Sequence, residues 1–121
     1  MNIKKIIITA VLAVGLSACT VNNNSIYYWG SYSQTAYKLK SAPTDEVRSK
    51  HKAELMNIVT LAATKKKKIP PGIYAELALL EAEDKNLTLA MQYFEEEKRL
   101  FPESEKLIQL IQMNMAKEAS K

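Results

Sequence analysis

The start of this chain decides what the rest of it can become. Lys4 and Lys5 lead into Ile-Ile-Ile-Thr-Ala-Val-Leu-Ala-Val-Gly-Leu, and the run closes on Leu16-Ser17-Ala18-Cys19. That apolar stretch is well short of the roughly 20 residues a bilayer-spanning helix requires. A basic opening, a brief apolar middle and a small-residue ending describe a secretory signal. Residues 1–18 are therefore expected to be removed, leaving enough chain for one small domain. Lys4 and Lys5 also account for half of the formal net charge of +4. The remaining chain is only mildly basic, and an exported protein of that balance gives no argument for a nucleic-acid partner.

The sequence contains a single cysteine. An exported chain with one cysteine makes no internal disulfide, so the residue calls for another explanation. Leu16-Ser17-Ala18-Cys19 resembles the lipobox of bacterial lipoproteins. The resemblance implies a diacylglyceryl thioether on Cys19, cleavage after Ala18 and an acylated amino terminus. Thr20 stands where, in such lipoproteins, an aspartate would retain the protein in the inner membrane, which implies the outer membrane, facing the periplasm. Beyond that covalent lipid no cofactor is expected. Two or three acyl chains hold firmly where one binds only marginally. With the thiol consumed, the mature fold must rest on packing alone.

Residues 19–26 form a lipidated tether whose polar run, Thr20-Val-Asn-Asn-Asn-Ser25, favours turns over packing. From Cys19 to Tyr27 the chain reaches at most about 30 Å, at ~3.3–3.6 Å per residue. Whatever folds after it stays close to a membrane. The next residues, Ile26-Tyr27-Tyr28-Trp29-Gly30-Ser31-Tyr32, include the only tryptophan of the chain. A cluster this aromatic suits the apolar end of a helical domain, with its hydroxyls and indole N–H reaching polar partners. Tyr27, Tyr28, Trp29 and Tyr32 are also the first candidates for a protein-binding surface, since Tyr and Trp are enriched at binding hot spots. Membrane-interface anchoring is a third reading. Gly30 provides the turn into the next segment.

Residues 27–121 are expected to be all-α. A short helix over Ser33–Lys40 ends at Pro43. Thr44 then caps a longer one, with Asp45 and Glu46 in the first turn where the helix dipole favours negative charge. Val47, His51, Leu55, Ile58, Val59 and Ala62 recur at spacings of three and four, the pattern of a buried stripe. This helix is expected to run toward Lys65, Lys66, Lys67 and Lys68, whose charges suit a helix C-terminus. Ile69-Pro70-Pro71-Gly72 stops it.

Counted from Pro71, the segment 71–104 places Tyr74, Leu77, Ala78, Ala90, Phe94 and Pro102 at positions that resemble the 34-residue tetratricopeptide helix-turn-helix unit. Small Ala78 and Ala90 let two helices approach, and Asn86 after Asp84-Lys85 is the expected N-cap of the second. Glu81 and Glu97 depart from the repeat pattern. A further amphipathic helix, starting at Ser104 and carrying Leu107, Ile108, Ile111 and Met115, takes the place of a third or solvating helix. No second copy appears, so the fold class is a small helical domain with one repeat-like unit flanked by additional helices.

Little here points to chemistry. His51 is the sole histidine and lies on an apolar stripe, where a packing role at the core edge is expected. No second histidine or free cysteine completes a zinc site. Glu81, Glu83 and Asp84, and Glu95, Glu96 and Glu97, read as solvated faces, with Glu81–Lys85 and Glu95–Arg99 as i,i+4 pairs. The residues suggest no catalytic group and no small-molecule substrate.

Tyr27-Tyr28-Trp29-Gly30-x-Tyr32, then Ile69-Pro-Pro-Gly-Ile-Tyr-Ala-Glu-Leu77, then Tyr93-Phe-Glu-Glu-Glu-Lys98-x-x-Phe101-Pro-Glu-Ser104 make up an ordered set of motifs. The set resembles a domain-of-unknown-function family of small proteobacterial lipoproteins over nearly the whole mature chain. The resemblance implies an envelope assembly shared with a lipoprotein related to the curli secretion channel. It brings no activity. The expectation is a non-enzymatic outer-membrane adaptor, held by its lipid and docked on another envelope lipoprotein. The alternative is a structural lipoprotein that contacts peptidoglycan or membrane lipid through Lys65 to Lys68.

Overall fold

The computed structural model describes residues 24–121. The signal segment and Cys19 lie outside the described residues. The order is α1 (Tyr32–Ser41), α2 (Asp45–Leu61), α3 (Ile73–Glu83), α4 (Leu87–Leu100), a 3-10 turn at Pro102–Ser104 and α5 (Glu105–Ala119). The class is all-α. Among the described residues, no helix is long and apolar enough to cross a membrane.

Local chemistry explains most boundaries. The Thr44 hydroxyl accepts from the Val47 amide at 3.2 Å and starts α2, with Asp45 and Glu46 in its first turn. Gly72, at φ +94°, reverses the chain into α3. Pro102 ends α4 and opens the 3-10 turn. The expected N-cap at Asn86 is different in kind. Its side chain donates to Glu81 Oε2 at 2.8 Å instead of capping α4. The lysine run also lies elsewhere. α2 stops at Leu61, short of Lys65 to Lys68, and Lys66 sits at φ +53° in the connecting turn.

α3 and α4 share the most extensive interface, α1 lies on α2, and α2 lies on α3. Leu55, Ile58, Ile73, Leu77 and Leu80 form one buried cluster, against which Tyr28, Tyr32 and Val59 pack. A second contains Ala78, Phe94 and Ile108, flanked by Ile111 and Met115. Ala78 and Ala90 are fully buried, so the two helices of the repeat-like unit meet where their side chains are smallest. In the stripe of α2, Val47 and Val59 are only half-buried while His51, Leu55, Ile58 and Ala62 are covered. Leu107, expected on the inner side of α5, instead points outward and is 61% exposed. Ile108 occupies the inner position, packed with Phe94 and Ala78, and Leu107 lies about 100° around the helix from it.

Candidate functional site

Two polar assemblies and one groove organise the molecule. The first centres on His51. It has no exposed surface, and it bridges three helices where a core-edge packing role was expected. Its Nε2 lies 2.6 Å from Glu76 Oε1, and the Tyr32 hydroxyl donates to the other oxygen of that carboxylate at 2.9 Å. A carboxylate only accepts, so Nε2 carries a proton toward Glu76. Thr35 Oγ1 is 2.8 Å from Nδ1. The Tyr32 and His51 rings meet at 5.6 Å. Thr35 and Tyr32 come from α1, His51 from α2 and Glu76 from α3. The relay therefore fastens α1 to the body of the domain.

Burial, followed by the hydrogen bond to Glu76 and its negative charge, pushes the Tyr32 hydroxyl from 10.0 up to about 12. The sign comes from linkage. The folded chain holds this proton more tightly than the unfolded chain, so the contact stabilises fully below the unfolded pKa and is lost as pH rises through the folded one. Wild type is expected to lose more stability between about pH 9.5 and about pH 12 than Tyr32→Phe does. Denaturant titrations at both ends of that window check it; equal losses would mean that Tyr32 does not titrate differently on folding.

The second assembly reverses the solvated-face reading for Glu81 and Glu97, whereas Glu83, Asp84 and Glu95 are exposed as that reading expects. Glu97 is 3% exposed and Glu81 is 5% exposed. Glu97 accepts from the amides of Gly72 at 2.7 Å and Ala75 at 3.3 Å, so a side chain of α4 caps the N-terminus of α3. Glu81 takes the Lys52 ammonium at 2.6 Å, not Lys85. That ammonium holds the Glu81 carboxyl below the usual range, against the opposing effect of burial. Arg48 adds ion pairs to Glu83 at 3.2 Å and Asp84 at 2.9 Å. Nor do Glu95 and Arg99 pair: Glu95 meets Lys98, and Arg99 meets Glu96. The two departures from the repeat pattern are thus its buried anchors.

The aromatic segment and the lysine run, which the sequence presents as rival surfaces, are stitched together. Lys68 N–H donates to Ile26 C=O at 2.8 Å, and Tyr28 N–H donates to Lys68 C=O at 2.9 Å, a parallel bridge across Tyr27 and Lys68. The aromatics then divide. Tyr28 and Tyr32 pack against the core, Trp29 is 39% exposed, and Tyr27 lines a groove of about 560 Å³. Val59, Ala63, Ile69, Leu100 and Phe101 provide apolar walls, and among the described residues the charged ones lining it are Lys67 and Lys68. At Gly30, φ +47°, an added Cβ would collide with the Glu54 carboxylate, whose Oε1 accepts from Ser31 N–H at 2.7 Å. The left-handed backbone there favours glycine, and any side chain would have to displace the carboxylate that caps Ser31.

On the last two helices, large apolar side chains stand in solvent. Leu107, Leu110 and Met113 of α5 are between 54% and 61% exposed, and Leu87 and Met91 of α4 are also exposed. No group of three or more metal-ligating side chains converges among the described residues. No curated protein and no solved structure matches the chain. One family model does, over residues 26–111, from the aromatic segment into the last helix. The chain belongs to the family described as a domain of unknown function, DUF4810.

Proposed function

We propose that this protein is a non-enzymatic adaptor of the bacterial outer membrane, anchored through an acylated Cys19 and docked on another envelope lipoprotein. The resemblance of its motif set points to a partner related to the curli secretion channel. One observation carries the adaptor reading. A helical stack that ends in water closes with a polar face, yet α5 turns Leu107, Leu110 and Met113 outward. That stripe has the form of a helix face awaiting a further element. His51 sits too deep to meet a substrate, which fits a binding role.

Leu110→Glu places a charge in the middle of the stripe without touching the buried clusters. It is expected to leave the unfolding free energy within about 0.5 kcal/mol of wild type. A photo-crosslinker at Leu107 in living cells should capture a discrete envelope protein, and Leu110→Glu should abolish the product. Stability intact and no protein captured at residues 107 or 29 would defeat the adaptor reading.

A further inference from the structure

We infer that the groove between the aromatic segment and the end of α4 holds one acyl chain of an anionic phospholipid, with Lys67 and Lys68 on its phosphate. The inference rests on the anchored reading for its location and on the groove itself for its chemistry. Ligand sites are commonly clefts of about 300–1,000 Å³ with apolar walls and a few placed polar groups. This one has about 560 Å³, apolar or aromatic side chains from α2, α4 and both connecting segments, and, among the described residues, two lysines as its charges. Ala62, fully buried, forms part of the floor. Such a lining disfavours a fully polar anion, and it suits an anionic amphiphile better than a neutral hydrocarbon.

Charge and position select the occupant. None of Lys65, Lys66, Lys67 and Lys68 enters an ion pair among the described residues, whereas Arg48, Lys50 and Lys52 of α2 and Lys98 and Arg99 of α4 all do. Four unneutralised lysines in one turn attract an anionic lipid surface. The backbone of Ile26 is bonded to Lys68, so the tether enters the domain beside this groove. The span from Cys19 keeps its mouth within about 30 Å of the bilayer. Ile26, 61% exposed, adds an apolar contact next to the lysines. Another surface hollow, among Leu79, Glu83, Lys85 and Glu118, mixes both signs of charge and has no such bias.

The test uses the acylated protein in phosphatidylcholine vesicles doped with phosphatidylglycerol that bears a diazirine on one acyl chain. Photolysis should label Ala63, Phe101 or Val59. Lys67→Gln with Lys68→Gln should lower labelling at limiting lipid by about thirtyfold, from two lysines near an anionic headgroup. Ala63→Trp, at an exposed wall position, should block it while the lysines remain, and circular dichroism verifies that both variants fold. Label confined to residues 19–26, equal labelling by diazirine phosphatidylcholine, or labelling unchanged in Ala63→Trp would each overturn the inference. A crosslinker at residue 63 that captures a protein in cells would do so too. None of these outcomes touches the stripe on α5, so the adaptor reading stands or falls separately. Mass spectrometry of residue 19 decides the anchor on which both depend for location.

Discussion

Phe94→Ala is expected to lower the unfolding free energy by about 3–5 kcal/mol, the usual cost of emptying a fully packed aromatic site. Phe94 has no exposed surface and lies with Ala78 and Ile108 at the junction of α3, α4 and α5. The neighbours that could collapse into the void are few, because Ala78 is already minimal and the helix backbones are in contact around it. A domain of this size has a total stability of only about 5–15 kcal/mol. The thermal midpoint should therefore fall by something on the order of 20 °C. Denaturant unfolding checks it, with an unchanged slope expected if the variant still unfolds as one unit. A loss below about 1 kcal/mol would mean that α5 does not close over this ring.

Glu97→Ala is expected to cost about 3 kcal/mol, although nothing about an acid on a helix announces it. Its carboxylate accepts from Gly72 and Ala75, and the first turn of α3 has no side chain of its own to do so. Deleting it takes the acceptor from two part-buried amide donors, together worth about 1–3 kcal/mol, and removes a negative charge from the positive end of the helix dipole. Glu97→Gln keeps one acceptor oxygen and should lose about 1 kcal/mol. The two variants separate the charge and hydrogen bonds from simple packing. Hydrogen exchange at Gly72 and Ala75 should rise in Glu97→Ala more than at amides in the middle of α3. Similar losses in both variants would show that the charge and second acceptor oxygen, which glutamine also lacks, carry the effect, and not side-chain volume, which glutamine keeps.

These two residues mark where sequence reasoning reached and where it stopped. Phe94 was legible, because its size and spacing from Ala90 and Ala78 reflect how two helices interdigitate. The same holds for Thr44, whose cap is satisfied within three residues, and for the helical class as a whole. Glu97, Glu81, His51 and Asn86 were not. Each takes its partner from another helix or across a turn, so i,i+4 arithmetic assigned Glu81 the wrong lysine; for Glu95 it passed over Lys98, one residue nearer on the same helix. For the repeat-like unit a useful signal was present: glutamates at the two positions where the pattern calls for an aromatic and a small residue mark buried polar anchors. The groove could not be read at all. Tyr27 and Lys67 lie on distant stretches of chain, and only the backbone bonds between Ile26, Tyr28 and Lys68 bring them to one surface. Leu107 was misplaced for a simpler reason. Adjacent Leu107 and Ile108 both suit an amphipathic face, and packing on α4 selects the second.

The parallel bridge between Tyr27 and Lys68 has a consequence for how the molecule assembles. A polypeptide leaves the ribosome from its amino-terminal end, so residue 27 emerges well before its partner exists. The aromatics must wait in an uncommitted state while α1 and α2 are made, and they settle only when the loop beyond α2 has appeared. A nascent chain arrested anywhere before Lys68 would leave Tyr27 and Tyr28 unlatched and open to capture by a holdase.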